Sequence, residues 1–194
     1  MHKHRGFTLI ELFVVLSIVA ILATLAAPSF TRLINSNSIT SNVNSFMADL
    51  RFARSESIRR GGGVQMCRSD LPEDSTPTCG TGSGPGGNGW VSGWIIFHDL
   101  NGNGNRNTGE PIFRVQAATT SVNSILESGG GGGSSTRFKF TPTGRLTALG
   151  SSTKLQFGGN PEFDNETQRV VCVSVGGRAR VAGNGASACG SSNE

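Results

Sequence analysis

The chain has 194 residues, with 17 basic and 13 acidic side chains, 28 glycines and no tyrosine. That length has room for one membrane helix and one globular domain, and the glycines follow no G-X-Y period, which excludes a collagen-like repeat and points to a loop-rich β domain. A formal charge of +4 is too small to make the whole surface a nucleic-acid footprint, so any such site must be a local patch.

The first element is the run "RGFTLIELFVVLSIVAILATLAAPSF", residues 5–30, which follows a short basic stretch. Between residues 7 and 27 its only polar members are Thr8, Glu11, Ser17 and Thr24. As a helix this stretch is about 32 Å long, enough to cross a bilayer core. A secretory signal peptide has a shorter apolar region ending at a small-residue cleavage site, and a carboxylate near its start is unusual there. An ionisable group costs at least about 2.5 kcal/mol at the centre of a membrane, which makes Glu11 a functional candidate. The alternative is a side chain close enough to the interface to snorkel. The physics of the segment leaves both open.

After Pro28 the apolar residues space out. Ile39, Val43, Phe46, Leu50, Ala53 and Ile58 recur at three- to five-residue steps, with a small residue, Ser57, beside the last. This predicts an amphipathic continuation of the membrane helix over residues 28–60, stopped by the glycines of "RRGGG". The stretch "SNSITSN", residues 36–42, forms helix poorly and is expected to bend. Six segments then read as short strands: "VQMCRS", "GWVSGWIIFHD", "EPIFRVQ", "RFKFTPTGRL", "KLQFG" and "QRVVCVSVGGRARVA". Glycine-rich runs at residues 79–89 and 128–135 read as loops. A long helix feeding a mainly antiparallel β domain, residues 61–194, gives an α+β fold.

Cys67, Cys79, Cys172 and Cys189 contain no C-x-x-C pair and lie near no histidine cluster, which argues against zinc. All four follow the apolar run, and the basic residues before it place them outside the cytoplasm. That compartment favours two disulfides over buried thiols. Of three connectivities we take the local one, Cys67 with Cys79 and Cys172 with Cys189. Each closes a loop of about 15 residues, worth roughly 3 kcal/mol in the chain-entropy model.

Two segments carry candidate ligand chemistry. "DLNGNGNRNTGE" satisfies the D-x-[DN]-x-[DN]-G-x5-E calcium-loop pattern, with Asp99, Asn101, Asn103, Asn105 and Glu110 as oxygen donors. Only two of those donors are charged, so calcium affinity would be weak, near 10⁻⁴–10⁻³ M. The competing reading is a polar hairpin turn, which Asn-Gly signals strongly, and it is the favoured one. In "GGRARV", Arg178 and Arg180 share one face of a strand about 7 Å apart, near the step between successive phosphates of a nucleic-acid strand. Arginine forks match phosphate bidentately. Taken alone, two such arginines are more often a solvated strand face. Enzyme chemistry is rejected: no G-x-S-x-G, H-E-x-x-H or Walker-type motif is present, and His98 beside Asp99 is no dyad because strand neighbours face opposite ways.

The apolar run as a whole resembles the type IV pilin N-terminus. The resemblance implies that residues 1–6 are a leader cut after Gly6 by a prepilin peptidase and that Phe7 becomes the N-methylated first residue. It also implies that Glu11 meets the N-terminal amine of a neighbouring pilin, and that a kinking proline such as Pro28 is at home there. A charge is tolerated in an apolar bundle when it has such a partner. The later segments "LRFARSESIRRGGGVQMC", "GWIIFHDLNGNGNRNTGEPI", "FTPTGRL" and "RVVCVSVGGRARV" resemble the GspH/FimT group of minor pilins and pseudopilins, in that group's order. Where "ARSEA" is the commoner wording this chain has Ser57, a small residue expected to pack equivalently.

In FimT-type minor pilins a G-R-x-R motif near the C-terminus is associated with DNA. The resemblance thus implies double-stranded DNA bound by its phosphates during uptake for transformation, through Gly177, Arg178 and Arg180. Lys154, Arg145 and Arg169 are candidates to extend the patch, and backbone amides of the glycine-rich tail to add contacts. No cofactor beyond weak calcium is implied. The implied location is the bacterial inner membrane before assembly and the pilus, in the periplasm and outside the cell, afterwards. The alternative is a GspH-like pseudopilin of type II secretion, a structural element without a nucleic-acid partner.

Overall fold

The structure is a computed structural model and describes residues 7–129, 137–147, 153–158, 167–183 and 186–190. One helix, α1 (Leu9–Arg60), carries the whole N-terminal part. Its last turn ends at Gly61, whose φ of 77° lies in the left-handed region that glycine adopts without a Cβ penalty. The N–H groups of Gly61 and Gly62 both reach back to the Ser57 carbonyl. No break in secondary structure occurs over residues 36–42. There Thr40 donates to the Ser36 carbonyl at 2.8 Å, and the Asn42 amide donates to the Ser38 carbonyl at 2.9 Å and to Ser121. Local polar groups that favour a bend instead bond the helix's own carbonyls, while Ile39 and Val43 are buried against the domain.

The domain is two four-stranded sheets in which every strand pairing is antiparallel. In the first, β1 (Val64–Arg68) sits between β2 (Trp94–His98) and β5 (Arg137–Lys139), and β3 (Ile112–Gln116) pairs the far side of β2. The second runs β4 (Ser124–Gly129), β6 (Thr153–Gly158), β7 (Arg169–Val173), β8 (Ala179–Val181) in spatial order. The six segments read as strands all contribute, and all but KLQFG do so more briefly than read. Trp90–Ser92 form a short 3-10 turn ahead of β2. The last two long segments are hairpin-like: Phe140 bridges Leu146 around the turn 141–145, and β7 returns as β8. Strand β4 overlaps the segment expected to be a loop, yet all six of its residues pair with β6.

The core lies where the second half of α1 meets the sheets. Phe46 stands edge-on to Trp90, Trp94, Phe138 and Phe157, at ring-centroid distances of 5.4, 5.3, 6.1 and 5.7 Å. These T-shaped contacts place the positive ring edge on the neighbour's negative face. Polar bonds fix the helix over this core. The Trp94 indole donates to Asp49 at 2.8 Å, and Arg114, stacked 3.9 Å over the Phe52 ring, pairs with the same carboxylate. Ser57 is fully buried and its hydroxyl lies 3.0 Å from the carbonyls of Phe140 and Thr141. It is therefore not equivalent to alanine: the hydroxyl ties α1 to the turn after β5, a bond worth about 1 kcal/mol.

The sulfurs of Cys67 and Cys79 are bonded, as are those of Cys172 and Cys189, at sequence separations of 12 and 17.

Candidate functional site

Two places answer to the sequence reading, the start of α1 and one end of the second sheet. At the first, Thr8 caps the helix: its hydroxyl accepts from the Glu11 N–H at 3.3 Å, and the Glu11 carboxylate accepts from the Thr8 N–H at 3.4 Å. This capping box sets the carboxylate against the positive end of the helix dipole, which lowers the cost of carrying a charge in an apolar segment. The apolar side chains around it are bare, Phe7 and Leu9 at 86 % exposure and Phe13 at 69 %. Among the described residues this is the one helix long and apolar enough to cross a membrane. Gly6 lies outside the described residues.

At the second place, the chain turns from β7 to β8 through residues 174–178. The Ser174 N–H donates to the Arg178 carbonyl and the Gly177 N–H to the Ser174 carbonyl, both at 2.9 Å. Gly177 has a φ of 72°, and a Cβ there would stand 2.1 Å from the Gly144 carbonyl oxygen. Only glycine fits, so Gly177 is the packing position that seats this turn on the turn 141–145. Arg178 and Arg180 project outward and are exposed, as is Arg145 beside Gly144. None of the three forms an ion pair among the described residues.

Lys154, Cys172 and Arg180 form a row across three strands, because Lys154 pairs with Cys172 and Cys172 with Arg180. The tail is held over this row. Cys189 is bonded to Cys172, the Lys154 ammonium donates to the Ser187 carbonyl at 2.9 Å, and Arg180 donates to the Gly190 carbonyl at 3.2 Å. Parts of the tail, residues 184–185 and 191–194, lie outside the described residues. Arg169 is not brought into this group. It opens β7, at the opposite end from the turn, and its guanidinium faces the carbonyls of Thr167 and Gln168 and the Ser36 hydroxyl. Arg51 and Arg54, on the helix beside the same turns, escape the sequence reading. The Arg54 Nε donates to the Gly144 carbonyl at 3.0 Å.

In the loop after β2 most of the oxygens of the calcium pattern already have partners within the protein. One oxygen of Asp99 accepts from the Gln65 amide, the Gly104 N–H and the Lys139 ammonium, which also reaches the Gly102 carbonyl at 3.0 Å. Glu110 accepts from the N–H groups of Leu100, Asn101 and Asn107. The Asn101 and Asn103 side-chain oxygens accept from the N–H two residues on, and that of Asn105 faces Arg137. The second Asp99 oxygen is buried without a hydrogen-bond partner, while the other oxygens of the pattern are turned to the loop's own donors and to a built-in cation. The polar-turn alternative describes this loop.

One half-buried acid stands apart from both places. Glu127 in β4 has its carboxyl pushed up to about 8 by burial, an effect only partly offset by the Trp90 indole donating at 3.3 Å.

The model of the family described as "Type II transport protein GspH" matches residues 42–177, and that of the prokaryotic N-terminal methylation motif matches residues 1–27. No curated protein matches the chain. Two crystal forms of the type IV minor pilin FimU from Pseudomonas aeruginosa PAO1 share its fold at 17 % identity, with TM-scores of 0.54 and 0.51. They cover 76 % and 75 % of this chain and 90 % and 93 % of their own. An apolar helix with a methylation motif, one half bare and one half sunk in an antiparallel domain, is the build of a subunit anchored in a membrane and assembled with other pilins. The match over most of the chain places it among the minor pilins and pseudopilins that serve type IV pili or type II secretion: it belongs to the GspH family.

Proposed function

We propose that the protein is a minor pilin of a type IV pilus that holds extracellular DNA by its phosphate backbone, without sequence preference, during uptake for transformation. Residues 1–6 are removed after Gly6, Phe7 is methylated, residues 7–27 anchor the subunit in the membrane and then the filament core, and Glu11 pairs there with a neighbour's N-terminal amine. The observation that carries the DNA reading is the turn that presents Arg178 and Arg180. Both are exposed beside a backbone seated by Gly177, and no carboxylate among the described residues pairs with either. Lys154 and Arg145 lie on the same part of the surface. A site this small neutralises few phosphates, so affinity at physiological salt is on the order of 10⁻⁴–10⁻⁶ M.

The test is fluorescence anisotropy of a labelled DNA duplex with the detergent-solubilised mature chain over a range of NaCl. Binding should fall steeply with salt. Replacing both arginines (R178Q/R180Q) should weaken it while leaving thermal melting unchanged, and lysine at both positions should restore only part, because the planar fork is lost. If the double glutamine variant melts normally and binds like the parent, the arginines are a solvated turn. The second reading, a structural pseudopilin of type II secretion, is favoured by the description of the matching family model and would then lead.

A further inference from the structure

Resting on that DNA reading, we propose that the groove between the C-terminal turns of α1 and the β7–β8 turn seats one backbone phosphate, gripped by Arg51, Arg54 and Arg178. The groove holds about 350 Å3 and is lined by Arg51, Arg54, Ser55 and Ile58 from the helix and by Gly177 and Arg178 from the turn. The helix residues stand at i, i+3, i+4 and i+7, the spacing that brings side chains onto one face. Three guanidiniums around one concavity repel each other, and no carboxylate is among the lining residues to offset them. An anion does so.

The chemistry of the lining selects a phosphodiester among anions. Arg54 is anchored through Nε on the Gly144 carbonyl, which leaves its two terminal nitrogens as a fixed fork. The Ser55 hydroxyl is already donated to the Phe52 carbonyl at 2.8 Å, so the grip belongs to the arginines. Ile58, 51 % exposed, gives the groove an apolar side suited to the sugar next to a phosphate. The volume lies in the range of sites that take small ligands, with room for that sugar. Arg180, two residues on and exposed, is available to a neighbouring phosphate. The site thus joins a helix face and a turn that are far apart in sequence, and it makes Arg51 and Arg54 part of the DNA interface.

The decisive variant is Arg51→Gln, because Arg51 is exposed and has no anchoring bond to lose. The mature chain in detergent is titrated with a labelled DNA duplex and, separately, with inorganic polyphosphate, and each variant is melted as a control. Arg51→Gln should melt like the parent and weaken duplex binding roughly two- to fivefold, with the slope of log affinity against log salt nearly kept, because Arg54 and Arg178 still neutralise the same phosphate. Arg54→Lys should weaken binding by a similar factor with the slope kept, since the charge stays and the fork goes. If R178Q/R180Q loses binding while Arg51→Gln keeps the parent's affinity, the groove proposal is overturned and the DNA reading stands. If the parent does not bind the duplex but binds polyphosphate in an Arg51-dependent way, the groove takes phosphate and the DNA reading alone is wrong. If neither polyanion is bound, both fall.

Discussion

Residues 9–34 and 39–57 share one helix, but their side chains meet different surroundings. In the first stretch every described large apolar residue is at least half exposed, including Leu12, Phe13, Leu16 and Leu25. In the second, Ile39, Val43, Phe46, Leu50 and Ala53 are buried at three- and four-residue steps against the sheets. The helical period is visible only where a domain supplies one apolar side; where apolar residues run all round, the partner must surround the helix, as a bilayer or a bundle of like helices does. The two halves therefore report on different equilibria, folding for one and insertion and assembly for the other.

The widest separation between them should come from removing a ring in each. Phe46→Ala takes away the centre of the aromatic cluster and should lower domain stability by about 3–5 kcal/mol. Phe13→Ala should leave it within about 0.5 kcal/mol, because that side chain is 69 % exposed. Denaturant melts of both variants in detergent check this, and a comparable loss from Phe13→Ala would mean that the first half docks on the domain.

A smaller effect should appear only in the buried half's surroundings. Burial pushes the Glu127 carboxyl from 4.5 up to about 8, so between those values the folded protein keeps a proton that the unfolded chain has released. Stability then falls as pH rises through that window, by at most about 1.4 kcal/mol per pH unit, and levels off above it. Arg68 lines the same small cavity, but its guanidinium is engaged by Asp70 and the Thr81 carbonyl. Glu127→Gln keeps an acceptor for the Trp90 indole and should flatten the profile. Melting temperatures of both proteins from pH 5 to pH 9 read the difference, and parallel curves would overturn it.

The smallest effect on folding, with the largest on assembly, is expected at Glu11. Glu11→Ala removes half of a capping box on a bare helix end and should leave the domain melt unchanged. Membrane insertion should be favoured by loss of the charge, while incorporation into sheared filaments should drop. Normal incorporation would show that the carboxylate serves only its own helix.

Local signals account for what was legible. The glycines that stop α1, the strand alternation and the cysteine spacing each act over a few residues, and the structure has the helix end, seven of the eight strands and the two bonded pairs where that reading puts them. Strand β4 was hidden because Ser, Glu and Gly dilute its Ile125 and Leu126, and it is a strand by virtue of pairing with β6. The calcium pattern counted oxygens without knowing their direction, and Lys139, forty residues along the chain from Asp99, brings an ammonium to one oxygen of that carboxylate. Ser57 passed for a space-filler because its acceptors lie more than eighty residues away. Arg178 and Arg180 are neighbours in sequence, but Arg51 and Arg54 come beside Arg178 only in the fold, where Gly177 packs on Gly144.

The way α1 lies on the domain also sets how the subunit carries load. From Ile39 to Ser57 the anchoring side chains extend over about 27 Å of helix axis, and the bare half continues from the end of that footprint. Tension drawn along a filament enters through the bare half and loads the footprint in shear, so Ile39, Phe46, Leu50 and Ala53 share it and must slide together. A pull across the axis would instead peel them one at a time. The contact between helix and domain thus resists a pull along the helix axis better than a pull across it.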